Sequence, residues 1–254
     1  MDNSTVRPGM TDLDAGLMNI FISFPKDRKS LTGDLVISTL SSVLRVLAPV
    51  IVRYGGKVSR VSETGITAIF PGDCESALRC AVEFSPQLRA DFAVGIHYGS
   101  VSMGTVSWGD FSTFIAVSTD NGLARRISET ASRLGARILL TDSAAAQIRG
   151  FSNRYSCRRL GIIKSAFHDG DIGIYDVYDG DPSERRYNKH RSRLFFEKGV
   201  ELFLSENWMQ ARSYFIELLK FDRGDLLAKE YIFKCDRFIA DPDTAPEHKY
   251  LASV

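Results

Sequence analysis

Residues 92–106, FAVGIHYGSVSMGTV, constrain the fold of this chain more than any other stretch. Phe92, Val94 and Ile96 alternate with smaller or polar neighbours, the period of a half-buried strand. Val101 and Met103 resume that alternation beyond Gly99, so the segment reads as two strands meeting at a tight turn. Gly95, Gly99 and Gly104 occupy positions where strands normally avoid glycine, which points to close backbone approach or to positive φ. On these residues alone a plain hairpin is an equally good description.

The flanking segments supply the rest of a small plait. Residues 1–15 read as a flexible lead-in, and 17–24, LMNIFISF, as a buried strand. A helix begins near Asp34, with Leu35, Val36, Leu40, Val43, Leu44, Leu47 and Ile51 recurring at three and four residues. Pro49 is expected to kink its last turn or end it early. Gly55 and Gly56 mark the latest point at which it can stop. A hairpin over 57–62 and 66–70 turns near Glu63, Thr64 and Gly65. Asp73 is placed to cap a helix that buries Ala77, Cys80, Ala81 and Phe84. After the 92–106 segment come a strand at 112–117, a helix from Thr119 to Leu134 and a strand at 137–140. A short helix at 142–148 and strands near 155–161 and 171–178 follow. The expected fold class is α+β, a ferredoxin-like βαββαβ plait with its helices on one sheet face and a βαβ-like tail. That order alone does not choose a function.

The two central hairpins do. GIHYGSVSMG (95–104) resembles the VGIHtGxVxxG signature of class III adenylate/guanylate cyclase catalytic domains. RYGGKVSRVSETGITAIF (53–70) resembles that family's other signature, GGxxxKxxGDGxxAxF. The resemblance covers roughly residues 16–178. It implies a βαββαβ plait of the class III cyclase type over 16–180, sites built across a dimer interface, and two aspartates holding two Mg²⁺ ions. Those ions activate the ribose hydroxyl and neutralise the phosphates.

Laid onto this chain, the resemblance leaves the metal positions without carboxylates. Ser23 stands where the first aspartate belongs and Thr64 where the second does, with Glu63 in place of the glycine before it. Arg60 replaces the base-reading lysine, and Ile115 the base-reading aspartate or threonine. In one register of the following helix Gly122 occupies the ribose-orienting asparagine position and Arg126 the arginine. A one-residue slide gives Asn121 and Arg125 instead, at the expense of moving Leu123 and Ile127 off the apolar face. Carboxylates from Glu63 or Asp27 are the alternative metal ligands. Arg60, Arg126, Lys26 and Lys29 supply positive charge for a nucleotide or another anion.

Downstream, a basic linker is expected over 181–191, with Arg185, Arg186, Lys189, Arg191 and Arg193 in and beside it. Helical periodicity then runs through 192–240, before a loose tail at 241–254. Gly199, Ala211 and Phe215 fall at spacings similar to the close-packing positions of a tetratricopeptide repeat plus its capping helix. An ordinary three-helix appendix fits the periodicity as well. One repeat cannot bury its own faces, so this unit must pack on the first domain, a second copy or a partner.

Net charge is +1 and charged residues make up 25% of the chain. No global field therefore points to nucleic acid or an anionic membrane. No run is read as reaching the roughly 18 apolar residues of a membrane span, and residues 1–14 are not expected to act as a secretory signal, having no apolar stretch. The four cysteines are scattered, without metal-ligand spacing. The expectation is a cytoplasmic pseudoenzyme, a dimerising regulatory or scaffold protein in cyclic nucleotide signalling. Its cyclase-like domain would pair as a homodimer or heterodimer, and its helical extension would dock a protein. No cofactor is expected. The alternatives are an active adenylate or guanylate cyclase using Mg²⁺ or Mn²⁺, and a nucleotide- or anion-binding sensor.

Overall fold

The computed structural model describes residues 9–24, 32–118, 120–165, 170–244 and 249–251. The first strand, β1 (Gly9–Ile22), is longer than the sequence suggests and takes in much of the supposed lead-in. Asp12 and Asp14 there accept hydrogen bonds from Ser102 and Ser100 of the neighbouring strand. Helix α1 (Gly33–Arg53) is capped by the Thr32 hydroxyl and passes through Pro49 without ending. It stops at Tyr54, where Gly55 adopts φ 74°. Contrary to the sequence reading, α1 is long and apolar enough to cross a membrane by length and composition. Its Val43, Leu47, Val50 and Ile51 are buried in the core.

The hairpin β2 (Lys57–Ser62) and β3 (Gly65–Pro71) turns at Glu63 and Thr64, and Asp73 caps α2 (Cys74–Phe84), both as the residues imply. The 92–106 segment differs. It is one continuous strand, β4 (Phe92–Trp108), and the chain reverses only at Gly109 and Asp110 before β5 (Phe111–Val117). Gly99 is no turn, because β1 pairs along the whole of this strand from Phe92 to Thr105. Helix α3 (Asn121–Leu134), β6 (Ile138–Thr141), α4 (Asp142–Ala146), α5 (Phe151–Arg154), β7 (Cys157–Lys164) and β8 (Asp171–Val177) complete the sheet region.

Among the described residues the sheet has eight strands in the order β2-β3-β1-β4-β6-β8-β7, with β5 pairing to β4 off that path. Period-two alternation assigns its faces. Met18, Ile20, Ile22, Val94, Ile96, Ile138 and Leu140 pack with α1 and α2. Leu17 and Val101 pack with Ala124 of α3, while Ala93 and Leu139 pack with α3's Leu123 and Ile127. Helices therefore cover both faces, not one.

The stretch read as a linker is helical. Helix α6 (Ser183–Leu204) runs straight through it, followed by α7 (Trp208–Phe221) and α8 (Leu226–Ala240). These helices share one core with α3, β6, β7 and β8, in which Phe196, Phe203, Phe215 and Tyr231 are fully buried. The unit thus packs on the sheet region. The expected loose tail also docks in part: Leu251 is buried and its N–H donates to Ile162 O at 2.9 Å.

Candidate functional site

The α3 face of β1 continues past α3 as a polar cross-strand row. Asn19 pairs in register with Thr67 of β3, and Thr67 with Arg60 of β2. Buried Asn19 donates to Thr67 Oγ1 at 2.9 Å and accepts from Ser128 of α3 at 2.8 Å. Arg60 itself is exposed at the sheet edge. At the end of β1, the backbone brings Ile22, the residue before Ser23, up to Thr64, so the two positions that the resemblance assigns to metal ligands lie near each other. Ile22 N–H donates to Thr64 O at 2.9 Å, next to Ser23.

Ser23 N–H donates to Asp91 O at 2.9 Å, which extends the β1–β4 register by one residue. Asp91 is thus the carboxylate-bearing neighbour of Ser23. Sequence spacing gave no sign of it, because the two residues meet only through strand pairing. Glu63 and Thr64 are both exposed in the hairpin turn. Among the described residues no three His, Cys, Asp or Glu side chains converge as a metal-holding group. Mg²⁺ and Mn²⁺ are hard ions that select carboxylate oxygens, and the hydroxyls of Ser23 and Thr64 do not fit them. Lys26, Lys29 and Asp27 lie outside the described residues.

On α3, Leu123, Ala124 and Ile127 are buried, while Gly122, Arg125 and Arg126 are exposed. Arg125 is committed to Glu129 at 2.9 Å. Ile115 of β5 stands opposite Gly104 and is partly exposed, offering only apolar surface. Gly95 and Gly99 earn their place by close approach. A Cβ at Gly95 would overlap Ala124 O of α3, and one at Gly99 would overlap the Asp120 carboxylate.

Two buried polar groups escaped sequence reasoning. His97 bonds through Nδ1 to Thr141 Oγ1 at 3.1 Å and Ser143 Oγ at 3.2 Å, and its Nε2 lies 3.8 Å from Asp120 Oδ2. It ties β4 to the β6–α4 junction. The second group is a chain of charges under α6 and α8. Arg158 of β7 bonds Asp176 of β8 at 3.1 Å and Asp225 at 2.5 Å. Lys189 of α6 lies 2.7 Å from both Asp176 and Asp181. Burial works against the Asp225 carboxylate, but the Arg158 guanidinium overcomes it and holds the group below the usual carboxylate range. Asp181 goes the other way, raised by burial that Lys189 only partly offsets. Asp176 follows Ile172 and Ile174 at the period of one strand face, the one hint in the sequence that it is buried.

No family model matches the chain. Among curated proteins it is 24% identical over 241 residues to the terminal-differentiation-specific adenylate cyclase of Dictyostelium discoideum, an alignment covering 86% of this chain and 11% of that protein. Among solved structures, the adenylyl cyclase CyaB of P. aeruginosa matches with TM-score 0.55 at 16% identity, over 66% of this chain and 95% of that one. A bacterial light-regulated adenylyl cyclase matches with TM-score 0.57 at 17% identity, over 70% of this chain and 55% of that one. The dimeric guanylyl cyclase domain of the RhoGC fusion protein from Blastocladiella emersonii matches with TM-score 0.54 at 15% identity, over 66% and 97%. The sheet region of this chain has the fold of class III adenylyl and guanylyl cyclase catalytic domains.

Proposed function

We propose that this chain is a catalytically silent cyclase-homology protein that dimerises and acts as a regulatory or scaffold component in signalling. The observation that supports the reading is the contact of Ile22, the residue before Ser23, with the Thr64 turn, where the Thr64 carbonyl accepts from Ile22 N–H. Hydroxyl residues, Ser23 and Thr64, stand at the two positions where the resemblance calls for carboxylates. Removing about 4 kcal/mol of transition-state stabilisation costs about a thousandfold in rate.

Dimerisation is carried over from the fold, since the fungal RhoGC cyclase domain is a dimer, though a non-canonical one. A protein-docking, tetratricopeptide-like role for α6–α8 is supported by Gly199, where a Cβ would come within 2.8 Å of the Phe215 ring. Four buried, unpaired cysteines suit a reducing, cytoplasmic setting.

The deciding experiment incubates the purified chain with ATP or GTP and either Mg²⁺ or Mn²⁺ and assays 3′,5′-cyclic product. No product is expected, and light scattering in solution is expected to give a dimer. Metal-dependent product would overturn the silent reading. A second reading, an active cyclase with displaced ligands, draws on the position of Asp91 beside Ser23 and of Glu63 beside Thr64. It requires that activity be lost in Asp91→Ala, Glu63→Ala or Asp27→Ala.

A further inference from the structure

The outward side of α6 carries an apolar and cationic strip that the sheet region does not use. Tyr187, Arg191, Leu194 and Phe195 recur at four, three and one residues, a single helical stripe. Leu194 is 77% exposed, Tyr187 59% and Phe221, at the end of α7, 40%. The Arg191 guanidinium sits 5.4 Å from the ring centres of both Tyr187 and Phe221. Phe221 in turn lies 5.5 Å from Phe195, and Phe195 lies 6.3 Å from Tyr214. The strip is therefore continuous across both helices.

Its charge is one-sided. Arg193, Lys198 and Lys220 are neutralised on their own helices by Glu197, Glu201 and Glu217. Arg186, His190 and Arg191 are exposed and form no ion pair among the described residues. A guanidinium held between two rings loses little side-chain entropy on binding. It keeps its N–H edge free for the two oxygens of a carboxylate. Leu194, one turn away, gives an apolar contact beside that charge. Stacked nucleic-acid bases need open ring faces, and here Arg191 lies over a face of both exposed rings.

We propose that this strip is the docking site of the extension and that its occupant is an acidic peptide segment bearing an aliphatic anchor. The assignment rests on the protein-docking role given above and names its surface and the chemistry of its partner. The mode is a helix or extended segment laid along a groove, with acid groups on Arg191, Arg186 and His190 and the anchor on Leu194.

The test uses the full chain and a fluorescein-labelled amphipathic peptide of glutamate and leucine, read by anisotropy. Saturable binding is expected, weakening as salt is raised. Arg191→Glu and Leu194→Ser should each weaken it about tenfold or more, in line with loss of a central anchor. Arg212→Glu should leave it unchanged, since that guanidinium pairs with Asp236 away from the strip. Arg191 and Leu194 are exposed and Arg212 is half-buried, and unchanged melting temperatures would confirm intact folding. No binding, equal binding of the lysine-for-glutamate peptide, or tighter binding of oligouridine would overturn the proposal. Binding indifferent to Arg191→Glu and Leu194→Ser would overturn this surface while leaving a docking role for the extension elsewhere. The silent-cyclase reading is judged separately, by product formation.

Discussion

Gly95 lies mid-strand on β4, where the backbone of α3 crosses it. A methyl group there would press on Ala124 O and on the Ser128 amide, neither of which can move without displacing the helix. Gly95→Ala should cost about 1–3 kcal/mol, as overpacked sites do. That corresponds to roughly 2–4 °C of melting temperature per kcal/mol. Gly122→Ala, where a Cβ meets nothing within 4 Å, should be neutral or slightly stabilising. Equal melting temperatures for the two variants would remove close approach as the reason for Gly95. The cysteines give a second check. Burial pushes the thiols of Cys74, Cys80 and Cys235 up to about 12 from an ordinary value of 9. Their folded-state values lie above the unfolded ones, so the stability they contribute is fully present below pH 9. It is lost as pH rises from about 9 towards 12. Melting temperature should therefore fall over that window, and less steeply in Cys80→Ala. That Gly95 needed glycine was legible in the sequence, which left close approach and positive φ both open; the fold chooses close approach. The place of reversal was not legible, because Gly99 answers to the Asp120 carboxylate, which only the fold brings alongside.

Helices α6 and α8 are joined to the sheet by charge as well as by apolar packing. Asp225 has two tasks: its carboxylate receives Arg158 and also caps α8 through Ala228 N–H at 3.0 Å. Asp225→Ala leaves Arg158, 2% exposed, with Asp176 as its sole described carboxylate partner. Breaking a buried pair from one side costs about 3–5 kcal/mol, and losing a cap adds about 1. Urea unfolding should report that loss, and hydrogen exchange should quicken first in α8. Uniform exchange across the chain would deny Asp225 a local role. Because the folded-state Asp225 value lies below the unfolded one, its contribution is present above the ordinary carboxylate range and fades as pH falls. This joint explains why a run of basic residues read as a linker. Arg185, Arg186 and Arg191 are exposed and look like solvated charge, but Lys189 is 3% exposed between two aspartates. Local composition does not distinguish the buried lysine from its neighbours. By contrast α2 and α3 were readable, since their apolar spacing coincides with the faces they bury.

The sheet region, covered by helices on both faces and joined to the extension, has the cyclase-type fold, and the silent reading holds that its metal positions have changed. If the scaffold is intact, restoring the missing groups should restore ion binding without restoring the whole reaction. In Ser23→Asp/Thr64→Asp two carboxylates would meet at the Ile22–Thr64 contact, close to Asp91 and Glu63. Without metal, like-charge repulsion should lower the melting temperature below that of the parent chain. Added Mn²⁺ should reverse the loss. At a hundredfold excess over its dissociation constant, a ligand bound only by the folded state contributes about 2.7 kcal/mol. For a chain of this size that is a rise of roughly 5–10 °C. The parent chain, with hydroxyls at both positions, should show no comparable rise at the same Mn²⁺ concentration. Cyclic product should stay absent from the double variant, because Ile115 still offers no hydrogen bond where a base would be read. An equal Mn²⁺-dependent rise in the parent chain would mean that other oxygens, Asp91 first among them, already form the site, and the silent reading would fail.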